Sequence, residues 1–253
     1  MRKPRSAATA NYTTTNLSSD TAEKKEIDFH RFVLEFGHDF TDSIRFFSEF
    51  ELEHALVKDT ADGSNGGEVE LEQAYIEMDL SDSSMLKAGV FLIPVGFLNE
   101  THEPPRFYGV ERNPVEKSII PTTWWEGGAM YSAYMSNGVS YDLAIHSGLS
   151  NADGNIRSGR QKIANAAAES LAYTARVKYT GMPGLELAAT VNRQDDMSQG
   201  TAADAVSATL VEAHVRYSTG PLTLTALHAM WDIDIDTSAP ITEWQHCGSL
   251  IQA

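Results

Sequence analysis

Val139-Ser-Tyr-Asp-Leu-Ala-Ile-His146 sorts its side chains by parity. A strand sends successive side chains to opposite faces. Val139, Tyr141, Leu143 and Ile145 therefore share one face, and Ser140, Asp142, Ala144 and His146 the other. The Asn137-Gly138 pair just before it is a strong hairpin signal, because both residues tolerate the positive φ of a tight turn. Outward from this stretch, about ten segments of similar pattern run from residue 29 to residue 232, and the gaps between them alternate short and long. Tight turns on one edge and long loops on the other are the layout of a transmembrane antiparallel β-barrel.

Composition permits this reading. The 253 residues contain no run of 18 apolar ones, which excludes a helical membrane protein. A barrel stays open, since its oily residues are diluted one in two by a polar lumen. Against 35 Asp+Glu stand 19 Lys+Arg, a net charge of -16. Nucleic acid is excluded as a partner on that balance, because phosphate binding needs clustered cations. A single cysteine, Cys247, leaves no internal disulfide framework and no multi-cysteine metal site.

Residues 1–27 are rich in Ser, Thr, Ala and Asn and read as an outer loop or disordered segment. In segment 29–40, Phe32, Leu34, Phe36 and Phe40 oppose Arg31, Glu35 and Asp39. The next strand sends Ile44, Phe46, Phe50 and Leu52 outward and Arg45, Glu49, Glu51 and Glu53 inward. Segment 69–80 changes parity after Leu71, which a β-bulge near Glu72-Gln73 would repair. The connection 96–123 is the longest, and connections of this length are functional or disordered. Its large and charged side chains, among them Arg106, Glu111, Arg112, Glu116 and Lys117, favour order. A polar loop covers 150–170, with a helical turn expected at 164–168. The last four strands send Thr174, Arg176, Lys178, Glu186, Thr190, Asn192, Glu212, His214 and Arg216 inward. Phe40, Tyr141, Tyr179 and Tyr217 sit outward near short turns, the place of an aromatic girdle.

The first hairpin has the short turn, so segment 29–40 enters from the loop side. Residues 28–236 are then barrel strands and 237–253 an irregular tail. No apolar signal segment follows Met1. The expectation is an internal piece of a larger barrel, with a signal peptide and at least one strand upstream and more strands downstream.

Lys87-Ala-Gly-Val-Phe-Leu-Ile-Pro-Val-Gly96, then Glu111-Arg112, then Pro121-Thr-Thr-Trp124 leading into Gly127-Gly128, resembles the phosphate-selective porin O and P family. Phe29-His-Arg-Phe-Val-Leu34 leading to Ile44-Arg-Phe46 looks like that family's first long hairpin. The resemblance implies a homotrimeric channel of about sixteen strands in the outer membrane of a Gram-negative bacterium. It also implies a long loop folded inward to narrow the pore, and 96–123 is the candidate. Val90 and Leu92 stand where the family pattern has polar Gln and Lys, so the architecture carries over and the anion specificity does not.

Enzyme signals are poor. No His-Glu-x-x-His, Gly-x-Ser-x-Gly or phosphate loop occurs, and His146 and His214 read as polar lumen residues. Asp232, Asp234 and Asp236 with Glu243 copy part of a calcium-loop spacing, but Thr237 replaces its glycine and Pro240 interrupts it. A solvated acidic loop is the reading there, with no metal and no cofactor. Arg45, Glu49, Glu51, Glu53, Arg176, Lys178 and Arg216 are candidate pore-lining charges, which set ion preference in channels. Arg106, Glu111, Arg112, Glu116 and Lys117 are candidates at the constriction, lining the pore or pinning the loop to the wall. The function expected is passive diffusion of small hydrophilic solutes or ions, without chemistry. The alternative is a soluble all-β binding module, a sandwich or lectin-like domain, whose oily faces would be buried against each other.

Overall fold

A computed structural model describes residues 5–15, 24–54, 57, 67–103, 106–107, 112–151, 155–234 and 247–252. Two compact units divide the chain, Met1–Ile76 and Glu77–Ala253.

The first unit is a meander of β1 (Arg5–Thr15), β2 (Lys24–Asp39) and β3 (Ile44–Glu53), followed by the opening of β4 (Val69–Ser81), which runs across the division. β1 pairs antiparallel with β2, Arg5 opposite Glu35, with a register shift between Thr9 and Asn11. β2 pairs with β3 from Arg31–Glu53 to Asp39–Arg45, and Phe40 N donates to Ile44 O at 2.9 Å to close the turn. The reading of 1–27 as an outer loop or disordered segment is thereby corrected at residues 5–15 and 24–27, and its remaining positions lie outside the described residues. Small and polar residues give β1 no oily stripe, and its ladder to β2 supplies the order that periodicity did not announce. In β4 the exposed apolar residues change parity, from Val69 and Leu71 to Leu80.

In the second unit β5 (Ser84–Leu92), β6 (Trp125–Tyr134), β7 (Val139–His146), β8 (Ala172–Tyr179), β9 (Leu185–Gln194), β10 (Ser207–Thr219), β11 (Leu222–Asp234) and β12 (Cys247–Gln252) follow one another. Each is antiparallel to the next. Asn137-Gly138 makes the β6–β7 hairpin as expected: Gly138 has φ 85°, and Asn137 Oδ1 accepts from Val139 N at 3.0 Å. Two expectations fail here. The tail expected to be irregular contains β12, whose six residues are too few to show a period and take their order from β11. The helical turn expected at 164–168 is absent. Lys162, Ile163 and Asn165 have φ of 50°, 56° and 54°, and Gln161 holds the segment by bonding Ala167 N and O.

Burial across these strands is inside out. Leu143, Val177 and Val211 are 51, 51 and 49 % exposed, while their chain neighbours Asp142, Arg176 and Glu212 are 7, 6 and 0 % exposed. A sandwich would bury the first set and wet the second. Hiding the charged row and showing the apolar one is the arrangement of a strand whose outer solvent is hydrocarbon. Phe40 and Tyr217, two of the expected girdle aromatics, are exposed beside short turns. No helix among the described residues is long and apolar enough to cross a membrane.

Candidate channel constriction

Pairing registers lay the inner side chains of the second unit in rows. One row reads Ser132, Asp142, Arg176, Thr190, Glu212, Ala229, Gly248, from β6 to β12. An adjacent row carries Thr174, Asn192, Leu210 and Trp231. The connection between β5 and β6 lies against both rows. Thr190 Oγ1 donates to Pro94 O at 3.4 Å, and Arg176 pairs with Glu100. A Cβ at Gly248 would stand 3.0 Å from Val115 Cγ2. Trp231 Nε1 donates to Ile119 O at 2.8 Å, and the Trp124 and Trp231 rings are 6.3 Å apart. Leu210, Leu227 and Trp231 break the polar pattern of the inner face and are buried together with Val115, Ile119 and Trp124. Trp231, bonded to Ile119 and beside Trp124, is the apolar seat of the loop.

The loop is built as a self-bonded unit. At its neck Ile93 N donates to Trp124 O, 3.0 Å. Asn99 completes the closure: its Nδ2 donates to Ile93 O and Trp124 O, both 2.8 Å, and its Oδ1 accepts from Trp124 N at 2.7 Å. Across the middle, Glu116 Oε1 accepts from Phe97 N (2.9 Å) and Leu98 N (2.7 Å), and Oε2 from Asn113 Nδ2 (2.8 Å). Burial raises the Glu116 pKa above the usual carboxylate range, an effect the Leu98, Asn113 and Phe97 bonds partly offset. Gly96, at φ +65°, leaves room for that carboxylate, since a Cβ there would lie 2.5 Å from Glu116 Oε1. A π-helical turn, Val115–Ile119, carries the returning arm. Below the neck, Glu126 accepts from Trp124 Nε1 at 2.8 Å and from Ser147 Oγ at 2.5 Å.

A second loop, between β7 and β8, lies on the returning arm. Arg157 Nη1 donates to Lys117 O (2.7 Å) and Thr122 O (2.9 Å), and Arg160 Nη1 to Thr123 O (2.6 Å). Two arginines thus satisfy three carbonyls that an irregular segment would otherwise leave without partners.

Among the expected constriction residues, Arg106 and Lys117 are exposed and Glu116 is buried. Arg112 reaches Thr123 Oγ1 at 2.7 Å and lies over the Phe107 ring at 5.4 Å. Glu111 lies outside the described residues, as does the acidic stretch from 235 onward. Arg176 is buried between Asp142 and Glu100. Lys178 and Arg216 are half-buried at the short-turn ends of β8 and β10, where Arg216 stands opposite Glu186. Within the first unit, Arg45 is half-buried, and Glu49 accepts from Gln73 Nε2 at 2.5 Å. Arg31 lies 3.0 Å from Glu51 and 4.0 Å from Glu53. Asn99, Arg157, Arg160, Trp231 and Gly248 were not singled out from sequence. The apolar parity of Leu210, Leu227 and Trp231 is the signal that could have exposed the seat.

An antiparallel sheet with an apolar outer face, a charged inner face and a long loop laid on that inner face defines a fold class: the outer-membrane β-barrel. The chain has the same fold as an anion-selective porin from Comamonas acidovorans, with TM-score 0.56 and 11% identity over 92% of this chain and 70% of that one. It also matches OmpT, an outer membrane protein of Vibrio cholerae, with TM-score 0.50 and 9% identity over 93% of this chain and 65% of that one. At such identities the likeness is one of fold. In sequence, the chain is 39% identical over 162 residues to an uncharacterized protein of Aquifex aeolicus, a match covering 60% of this chain and 36% of that protein. The chain thus spans little more than a third of that relative's length. No protein-family model matches, so the phosphate-selective family rests on sequence resemblance alone.

Proposed function

We propose that this chain forms part of a water-filled outer-membrane channel that passes small hydrophilic solutes or ions by diffusion, without chemistry. One observation carries the reading: a self-bonded loop of about thirty residues is seated on the charged inner face of strands whose apolar side chains point outward. A soluble binding module has no use for that burial. In this proposal the loop 96–123 is the constriction. Arg106 and Lys117 face the solute path, while Glu116 and Arg112 hold the loop's shape. Arg45, Glu49, Glu51, Glu53, Arg176, Lys178, Arg216 and Glu111 contribute to the field along the path, which in pores sets ion preference. Assembly as a homotrimer in the outer membrane of a Gram-negative bacterium belongs to the same proposal.

Reconstitution in a planar bilayer tests it. Stepwise conductance is expected, and its absence sinks the channel reading. Arg106→Glu and Lys117→Glu should shift the reversal potential in a salt gradient toward cations. Cross-linking in mild detergent should stop at three subunits.

A further inference from the structure

The loop's leading arm, residues 97–103, contains the short 3-10 turn Asn99–Thr101. Its attachment to the wall has an ordered chain of donors behind it. Ser132 Oγ donates to Asp142 Oδ1 at 2.6 Å. Asp142 Oδ2 accepts from Arg176 Nε at 2.8 Å and lies 2.7 Å from Arg176 Nη2. Two guanidinium nitrogens are thereby committed to the wall, and the third, Nη1, meets the Glu100 carboxylate of the loop. Ser132, Asp142 and Arg176 stand directly opposite one another on β6, β7 and β8. The strand ladder fixes their opposition, and the bonds among the three involve no residue of the loop.

Resting on the channel reading above, we infer that Arg176 is the positioning residue of the constriction: a wall-mounted guanidinium, oriented by Asp142, that latches the leading arm through Glu100. A lysine could not do this, because one ammonium cannot hold two planar contacts to Asp142 and still present a third donor in a fixed direction. The pair is also placed to be strong. Arg176 and Asp142 are buried and Glu100 is about a third exposed, and charge-assisted bonds to a pre-oriented guanidinium lose little entropy on forming. The returning arm is held separately, by Trp231, Arg157 and Arg160. Glu116 and the neck bonds still hold Phe97, Leu98 and Asn99, so loss of the latch loosens residues 100–103 and leaves the returning arm seated.

The test uses Glu100→Ala, Arg176→Lys and Arg176→Met in the reconstituted protein, with two readouts. Glu100→Ala leaves the Ser132–Asp142–Arg176 chain intact, so the amides of β6, β7 and β8 should stay as protected as in the wild type. Amide hydrogen exchange at 100–103 should nonetheless quicken about tenfold, the effect of one lost charge-assisted bond, while amides at 115–120 stay protected. Arg176→Lys and Arg176→Met should loosen the same residues to the same extent or more. Where the wild type conducts, all three should show greater open-channel current noise. Unchanged exchange at 100–103 in Glu100→Ala and Arg176→Met overturns the latch, whatever the conductance. A wild type that does not conduct overturns the channel reading, and exchange still decides the latch.

Discussion

Trp231, on the inner face of β11, donates its indole N–H to the carbonyl of Ile119 at the end of the π-helical turn, 2.8 Å away. The two residues are 112 positions apart in the chain, and the bond lies in a region where both are buried. Trp231→Phe keeps most of the apolar contact and removes the donor, leaving a buried carbonyl unpartnered. The expected cost is about 1–3 kcal/mol. It should appear as faster hydrogen exchange at 115–120, with little change in amides of the β7–β9 ladder. Equal protection in the variant would mean that the carbonyl finds water and that the seat is looser than the geometry shows.

Gly248 on β12 is the seat's other half. A Cβ there would meet Val115 Cγ2 at 3.0 Å and Ile119 Cγ1 at 3.2 Å, so alanine asks the π turn to give slightly and leucine asks it to leave. Gly248→Leu should lift the returning arm at a cost of about 1–3 kcal/mol, the usual penalty of overpacking. Trypsin cleavage after Lys117, whose side chain is already exposed, measures it: faster cutting is expected in Gly248→Leu, and an intermediate rate in Gly248→Ala.

Parity made the strand faces legible, because one polar or apolar choice per residue is enough to mark a face. Asp142, Arg176, Glu212 and His214 were placed inward from sequence and lie buried on the inner face. β1 escaped because residues such as Ser6, Ala8 and Thr9 mark no face at all, and β12 because six residues hold too few periods. The loop announced itself by length. Its seat did not, since Arg176–Glu100 and Trp231–Ile119 are pairings between residues 76 and 112 positions apart, and no local pattern encodes which distant partner a side chain meets. Asn99 looked like any loop asparagine until both strands of the neck were in place.

Glu116 is expected to make the loop pH-sensitive. Burial raises its pKa in the folded loop above the value of about 4.3 expected for an exposed glutamate. Between those two values the folded loop holds the proton more tightly than the unfolded segment does. Stability from this group is therefore fully present below the unfolded pKa and is lost as pH rises through the folded one. After correction for intrinsic rates, amides of Phe97 and Leu98 should be better protected at acidic than at neutral pH. Glu116→Gln should flatten that profile, because nothing remains to titrate at the position. A profile that persists in Glu116→Gln would assign the effect to another group.

Val211 tests the outer face directly. It is half-exposed on β10, opposite Val191 of β9 and Met230 of β11, both also exposed, and these three side chains form an apolar patch pointing away from Glu212. If hydrocarbon surrounds that patch, Val211→Arg must place a cation in lipid or bend it toward the interface. The expected loss is about 2–4 kcal/mol near the bilayer midplane, falling toward zero at the interface. Urea titration of the protein folded into lipid vesicles measures it, with Val211→Ala as the reference for lost side-chain volume. An arginine variant as stable as the alanine variant would show that water wets this face, and the membrane assignment of β9–β11 would fall with it.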